Sequence, residues 1–216
     1  MSLPPIHLAS SSPRRKEILR AMGLRFTAGR VDVDEQRHDG EAAHSMVLRL
    51  AAAKAGAADV AENVIVIGAD TTVILGGEIF GKPRDRQHGL EMLAALSGQT
   101  HEVLTGVAVR SPAGIFEDVS TTEVRFREIR PDEALAYWHS GEPRDKAGAY
   151  AIQGRGGVFV ESIVGSYSGV VGLPVYETGR LLEQAGFDSV LVLSQGDIDG
   201  FGEYDLGGVP DQQEIE

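Results

Sequence analysis

The sequence contains no cysteine. That excludes disulfides, thiolate metal sites, iron–sulfur clusters and cysteine nucleophiles together. It has no run of 18 apolar residues, so no membrane-spanning helix is expected and no membrane partner. The amino-terminal stretch MSLPPIHLASSSPRR lacks a basic start followed by a long apolar segment. It does not read as a signal peptide, and a cytoplasmic location is expected. The six histidines are scattered and show no HExxH-type metal spacing.

Positive charge is also scarce. Twenty Lys and Arg stand against 32 Asp and Glu, a formal net charge of −12. Seven of those acids, and no Lys or Arg, lie between Gln195 and Glu216, which leaves −5 for residues 1–194. Sequence-independent nucleic-acid binding needs a broad basic surface, so a nucleic-acid partner is not expected. A small anion can still bind in a locally basic pocket.

The chain holds 216 residues, of which 42% are hydrophobic and 24% charged. That balance supports a sizeable core, in one α/β domain or two small lobes sharing a cleft. The apolar run at 6–9 reads as a first strand. Ser12 and Pro13 then open a helix to about Met22, stopped by Gly23. Residues 41–59 read as an alanine-rich helix, and 64–70 (VIVIGAD) as a short buried strand. Asp85 caps a helix to about Leu96. Residues 101–110 and 116–129 flank a Ser-Pro-Ala-Gly turn and read as a hairpin. Pro131 opens a short helix, 157–165 reads as a strand, Pro174 opens a last helix to about Gly186, and 190–193 reads as a final strand. Strands alternating with helices around one long hairpin predict an α/β protein with a mixed sheet. The stretch after Ser194, with five glycines and many acids, reads as a flexible appendage outside the fold.

Several segments carry chemistry. Ser10, Ser11, Ser12, Pro13, Arg14 and Arg15 place two arginines in the first turn of a helix, where free N–H groups and the helix dipole already carry positive charge. Either an anion such as phosphate neutralises them, or they are solvated beside a plain cap. Asp70 ends the apolar run, where α/β sheets gather their sites; it can hold a metal or take a proton from water. Lys54 shares a helix face with Val47 and Leu50, so it either snorkels to solvent or points into a cleft. Residues Gly76 to Lys82 nearly match a phosphate-binding P-loop. However, Pro83 replaces the metal-binding hydroxyl and disfavours a helix start at Lys82, which excludes that motif and leaves Lys82 a phosphate contact from a turn.

Asp32, Asp34 and Glu35 can bind a hard cation or form a solvated acidic loop. The glycine-rich stretch 145–157 carries Gln153, whose amide offers the donor and acceptor that a uracil edge requires. The segment from Gly165 to Pro174 is either a second anion loop or a tight helix entry.

Taken in order, the stretches LASSSPRR (8–15), DEQR (34–37), GADTTVIL (68–75), GKPRD (81–85), LSGQTHEVLTGVAV (96–109) and DKAGAYAIQGRGGVFVESIVGSYSGVVGLPVYET (145–178) resemble the Maf family of nucleoside triphosphate pyrophosphatases. The resemblance implies an α/β fold related to inosine triphosphate pyrophosphatases, with a mixed elongated sheet flanked by helices and a central substrate cleft. It implies one domain over 1–194, built as two lobes around the cleft, with 195–216 as its tail. The implied reaction cleaves a nucleoside triphosphate between its α- and β-phosphates with a divalent cation, Mg²⁺ or Mn²⁺. Asp70 falls on the family's proton acceptor, and Glu35 on its acidic loop, giving Glu35 and Asp70 as metal ligands. Ser10, Arg14, Arg15, Lys54 and Lys82 fall on its phosphate-side residues. The branch that prefers dTTP and UTP carries arginine, threonine and glutamine at three specificity positions, matched here by Arg14, Thr71 and Gln153. Removal of modified pyrimidine nucleotides and a homodimer are compatible with the family. The competing class is a nucleotide-sensing regulator of cell division that acts through a protein partner.

Overall fold

The structure, a computed structural model, describes residues 3–188. Its strands are β1 (Ile6–Leu8), β2 (Phe26–Ala28), β3 (Ile65–Leu75), β4 (Glu78–Phe80), β5 (Thr100–Ser111), β6 (Gly114–Phe126) and β7 (Val160–Val164). Its helices are α1 (Pro13–Ala21), α2 (Ala43–Ala57), α3 (Arg86–Leu96), α4 (Pro131–His139), α5 (Tyr167–Val171) and α6 (Val175–Gln184). The strands form one mixed sheet in the order β2-β1-β3-β5-β6-β7, with β4 hydrogen-bonded to the far end of β3. β1 pairs parallel with β2 and β3; all the other pairs are antiparallel.

The caps follow the sequence. Ser12 Oγ accepts the Arg15 N–H at 3.5 Å, Pro13 takes the first helical position of α1, and Gly23 leaves it with φ +73°. Asp85 Oδ1 accepts the His88 N–H at 2.8 Å and starts α3. Gly76 and Gly77, with φ +58° and +86°, form the tight turn between β3 and β4. Two successive positive φ values suit a two-residue hairpin and glycine alone takes both without strain. The near-match to a P-loop is therefore a β-hairpin.

Side-chain alternation along β3 divides the core. Ile65, Ile67 and Ala69 pack with Leu19 of α1 and Leu181 and Leu182 of α6. Val66 packs with Ala51 and Ala55 of α2. α2 lies almost on the backbone of the sheet. A Cβ at Gly68 would stand 2.2 Å from the Ala51 carbonyl oxygen, and one at Gly106 2.5 Å from that of Val47. The Arg110 guanidinium of β5 then donates to the Ala55 and Ala58 carbonyls at 3.0 and 3.1 Å, satisfying the carboxyl end of the helix.

The structure alters several of the expected elements. β3 does not end at Asp70 but continues to Leu75, so Asp70 lies mid-strand, opposite Gly106. The polar run of Asp70, Thr71 and Thr72 resembles a strand end only until the partners of those side chains are known. Residues 157–159 lie in a 3-10 turn (Arg155–Phe159), and β7 begins at Val160. The edge strand β2 and the five-residue α5 carry too short a periodic signal to be anticipated. The strand expected at 190–193 and the tail from 195 lie outside the described residues.

Candidate functional site

A cleft of about 1300 Å³ opens where the head of α1, the side of α2 and the middle of β3 face the segment 142–153. Ser10, Arg14, Arg15, Glu35, Lys54, Asp70, Thr71, Lys82 and Gln153 all line it. The nine residues singled out in the sequence, from segments up to 143 positions apart, thus share one cavity.

The centre is an ion-pair triad. Lys54 Nζ lies 2.7 Å from Asp70 Oδ1 and 2.6 Å from Glu35 Oε1. The lysine and Asp70 side chains are only 11% and 14% exposed, while Glu35 is 52% exposed. Lys54 therefore points into the cleft, one of the two orientations its helix face allowed. It gets there because Gly68 and Gly106 let α2 rest on the strands. The Lys54 hydrogen bond holds the Glu35 carboxyl below the usual carboxylate range; partial burial works against it, and the charges of Lys54, Lys82 and Arg15 add to the lowering. Of the neighbouring acids, Asp34 accepts the Gln36 N–H and Asp32 pairs with Arg30. Only Glu35 of that acidic loop turns to the triad.

The next residue of β3 points the other way, as strand alternation demands. Thr71 Oγ1 accepts from Arg15 Nη2 at 3.3 Å. Arg15 also donates through Nη1 to Ser10 Oγ at 3.3 Å and through Nε to the Gly172 carbonyl at 2.8 Å. Three anchors fix a guanidinium whose charge the cap of α1 does not need. Burial lowers the Arg15 pKa, Asp70 opposes that shift, and Arg14 adds to it. Thr105 Oγ1 lies 3.0 Å from Thr71 Oγ1 and donates to the Gly169 carbonyl at 2.8 Å, which fixes the threonine. Ser166 Oγ accepts the Gly169 N–H at 3.0 Å. The segment 165–174 is thus a tight helix entry whose carbonyls position Arg15 and Thr105.

The opposite wall is irregular. Two short 3-10 turns, Glu142–Asp145 and Ala147–Ala149, lead to Gln153, which is exposed at the cleft. Glu142 accepts the Tyr137 hydroxyl at 2.7 Å and the N–H groups of Arg155 and Gly156 at 3.0 Å each. Partial burial raises the Glu142 pKa, but the two N–H groups, the hydroxyl and the Arg155 charge outweigh it, so the carboxyl stays below its ordinary value. Arg14 faces this wall. Burial lowers its pKa, and Asp145 and then Glu142 are the strongest charges opposing that. Behind the wall, His101 Nε2 meets the Tyr150 hydroxyl at 2.8 Å, and Phe126 packs against both rings. Burial pushes the His101 pKa down to about 4, so the ring is neutral, and it pushes the Tyr150 hydroxyl up.

Two carboxylates that converge on one cation are the donor type a hard divalent ion takes. Among the described residues no group of three or more His, Cys, Asp or Glu gathers elsewhere or here. An ion held by Glu35 and Asp70 would therefore complete its shell with phosphate oxygens and water, as Mg²⁺ commonly does. The residues fit such an ion. No helix of the described residues is long and apolar enough to cross a membrane.

Thr105, Tyr137 and Glu142 were not legible as site residues. Each acts on a segment 13 to 64 positions away, and no local spacing announces such a contact.

The family described as Maf-like protein matches residues 5–185. A dTTP/UTP pyrophosphatase of Methylococcus capsulatus is 49% identical over 189 residues, 87% of this chain and 94% of its own. A protein of the same name from Escherichia coli O157:H7 is 49% identical over 179 residues, 82% and 91% of the two chains. Another from Colwellia psychrerythraea is 49% identical over 186 residues, 83% and 88%.

Proposed function

The chain belongs to the Maf-like protein family, and from that membership we infer that it is a nucleoside triphosphate pyrophosphatase hydrolysing dTTP and UTP to the monophosphate and pyrophosphate. The observation that carries the reading is the Glu35–Lys54–Asp70 triad beside the anchored Arg15, in a cleft open enough for a nucleotide. A sensor of nucleotides needs cationic contacts but no water-activating carboxylate, so the central Asp70 favours an enzyme.

The triphosphate lies against the head of α1. Arg14, Arg15 and Lys82 neutralise its oxygens, and Ser10 and the free N–H groups of α1 donate to them. Lys54 is released from the carboxylates to the phosphate as the substrate enters. Asp70 takes a proton from water, the water oxygen bonds to the α-phosphorus, and the bond from that phosphorus to the bridging oxygen breaks. The electron pair leaves with pyrophosphate, whose growing charge the cations of the α1 wall stabilise. Glu35 and Asp70 would hold a divalent cation, Mg²⁺ or Mn²⁺, which would supply charge neutralisation at the phosphate oxygens and a lower pKa for water. On the opposite wall Gln153 offers its amide to the pyrimidine edge, with Arg14 and Thr71 completing the selection.

Pyrophosphate release from a panel of nucleoside triphosphates, with Mg²⁺, Mn²⁺ or chelator, tests the reading on native protein and Asp70→Asn. Release from dTTP and UTP that needs the metal and is lost in the variant supports it. Tight nucleotide binding without release from any substrate sinks it in favour of the regulator.

A further inference from the structure

The loop that carries Gln153 has no ladder of its own. Its backbone N–H groups are met at both ends by two side chains. At one end the Ala151 N–H donates to the Tyr137 hydroxyl oxygen at 3.0 Å. At the other, the Arg155 and Gly156 N–H groups donate to the Glu142 carboxylate at 3.0 Å. The two anchors are joined, because the Tyr137 hydroxyl donates to Glu142 Oε1 at 2.7 Å. Tyr137 is itself fixed in the core, edge-on to Phe159 at 5.2 Å.

The glycines of the loop are fitted to these anchors. A Cβ on Gly154 would lie 2.6 to 2.9 Å from the atoms of the Glu142 carboxylate, and φ there is +144°. A Cβ on Gly156 would lie 2.5 Å from the Tyr137 hydroxyl. Backbone and anchors therefore close on each other without space for a side chain, and Gln153 stands at the apex.

We propose that Tyr137 and Glu142 are positioning residues for base selection, a hydrogen-bonded frame that holds Gln153 at a fixed place and angle for the pyrimidine edge. This rests on the reading that Gln153 contacts the base. An amide carries both a donor and an acceptor, and turned over it satisfies cytosine as well as uracil. Selection of uracil thus depends on how the loop presents the amide. Glu142 and Tyr137 bond to each other and to the loop backbone, with no hydrogen bond to the Glu35–Lys54–Asp70 triad, so their effect falls on base preference.

The test is the ratio of kcat/KM for UTP to that for CTP, in the metal-loaded enzyme, for native protein, Tyr137→Phe, Glu142→Gln, Gln153→Ala and Glu142→Gln with Gln153→Ala. Losing one buried hydrogen bond that orients the loop lowers the ratio about tenfold, through a higher KM for UTP with kcat largely kept. The double variant is expected to match Gln153→Ala alone in this ratio, because Glu142 acts through the glutamine. A merely structural role lowers the melting temperature and leaves the ratio alone. If Tyr137→Phe and Glu142→Gln keep the native ratio while Gln153→Ala lowers it, the frame is overturned and the reading of Gln153 stands. If Gln153→Ala also keeps the ratio, the reading itself fails, and the frame with it. Should Glu142→Gln not fold, Tyr137→Phe decides alone, since it removes one hydroxyl and keeps the ring against Phe159.

Discussion

The two walls of the cleft are built by different means. On the wall proposed to face the phosphates, most of the candidate side chains sit on regular elements: Arg14 and Arg15 on α1, Lys54 on α2, Asp70 and Thr71 on adjacent positions of β3, whereas Glu35 reaches Lys54 from the loop between β2 and α2. Their places follow from sheet register and helix packing, and the side chains then bond to one another. On the base wall, residues 142–159 run through short turns, and side chains from α4 and its end meet the backbone instead. A wall held by register resists change in position but loses its chemistry with one charge. A wall held by a few side-chain anchors can change its selectivity and leave the chemistry intact.

The sharpest way to break that contrast is Asp70→Asn, which keeps shape and hydrogen-bonding size but removes the charge. Turnover is expected to fall about 10³-fold on every nucleotide, since general-base catalysis is worth that order. The ranking of nucleotides in the residual activity should not change. A variant that reorders UTP and CTP would show that the walls are not separable.

Next in size is Gly68→Ala, which attacks the phosphate wall through packing. The added methyl meets the Ala51 carbonyl at 2.2 Å and must push α2 from the sheet. Overpacking of this kind costs about 3 kcal/mol, read as a lower denaturant midpoint. Lys54 moves away with the helix, so kcat falls as well while base preference holds. Native-like stability and turnover would mean that close packing of α2 is not what delivers Lys54.

The contrast also explains what could be read in advance. Caps, hairpin and the alternation along β3 are local, and Ser12, Asp85 and the apolar run at 64–69 announced them. The run Asp70, Thr71 and Thr72 imitates a polar stop to β3, because the partners that satisfy it, Lys54 for Asp70 and Arg15 and Thr105 for Thr71, come from elsewhere in the chain. The residues proposed to face the phosphates are legible as types, cations at a helix head and a carboxylate in an apolar run, and the structure brings them to one cleft. The direction of Lys54 is not legible, because two glycines on facing strands decide it. Tyr137 and Glu142 were invisible for the same reason that they matter: they act on backbone atoms, which carry no signature at the contact site.

The base wall has its own pH signature in His101, the buried support of Tyr150. Its folded pKa, about 4, lies below the ordinary value of 6.5. Below pH 6.5 the unfolded chain takes the proton first, so the contribution is fully present above 6.5 and declines until about pH 4. The full shift corresponds to roughly 3 kcal/mol. Urea unfolding of native protein and His101→Gln across that range should show the gap between them narrowing as pH falls. A gap that is constant with pH would mean that His101 titrates normally and that its burial does not support the wall.

The smallest effect is the most informative about the phosphate wall. The Lys54 ammonium sits between Glu35 and Asp70, the two carboxylates proposed to hold a divalent cation. If these carboxylates hold the metal, lysine and metal compete for one pair, and a triphosphate would resolve the competition by drawing the lysine to its phosphates. Lys54→Met removes the competitor and leaves two carboxylates facing each other without a counter-charge. Mn²⁺ binding, measured calorimetrically without nucleotide, should tighten about tenfold, or 1.4 kcal/mol, while triphosphate binding weakens. The base wall predicts no such exchange, because its carboxylate, Glu142, is saturated by one hydroxyl and two backbone N–H groups. Glu142→Gln should therefore leave Mn²⁺ affinity unchanged. Equal metal affinity in native protein and Lys54→Met would remove Glu35 and Asp70 as the metal pair and return the triad to a purely structural ion pair.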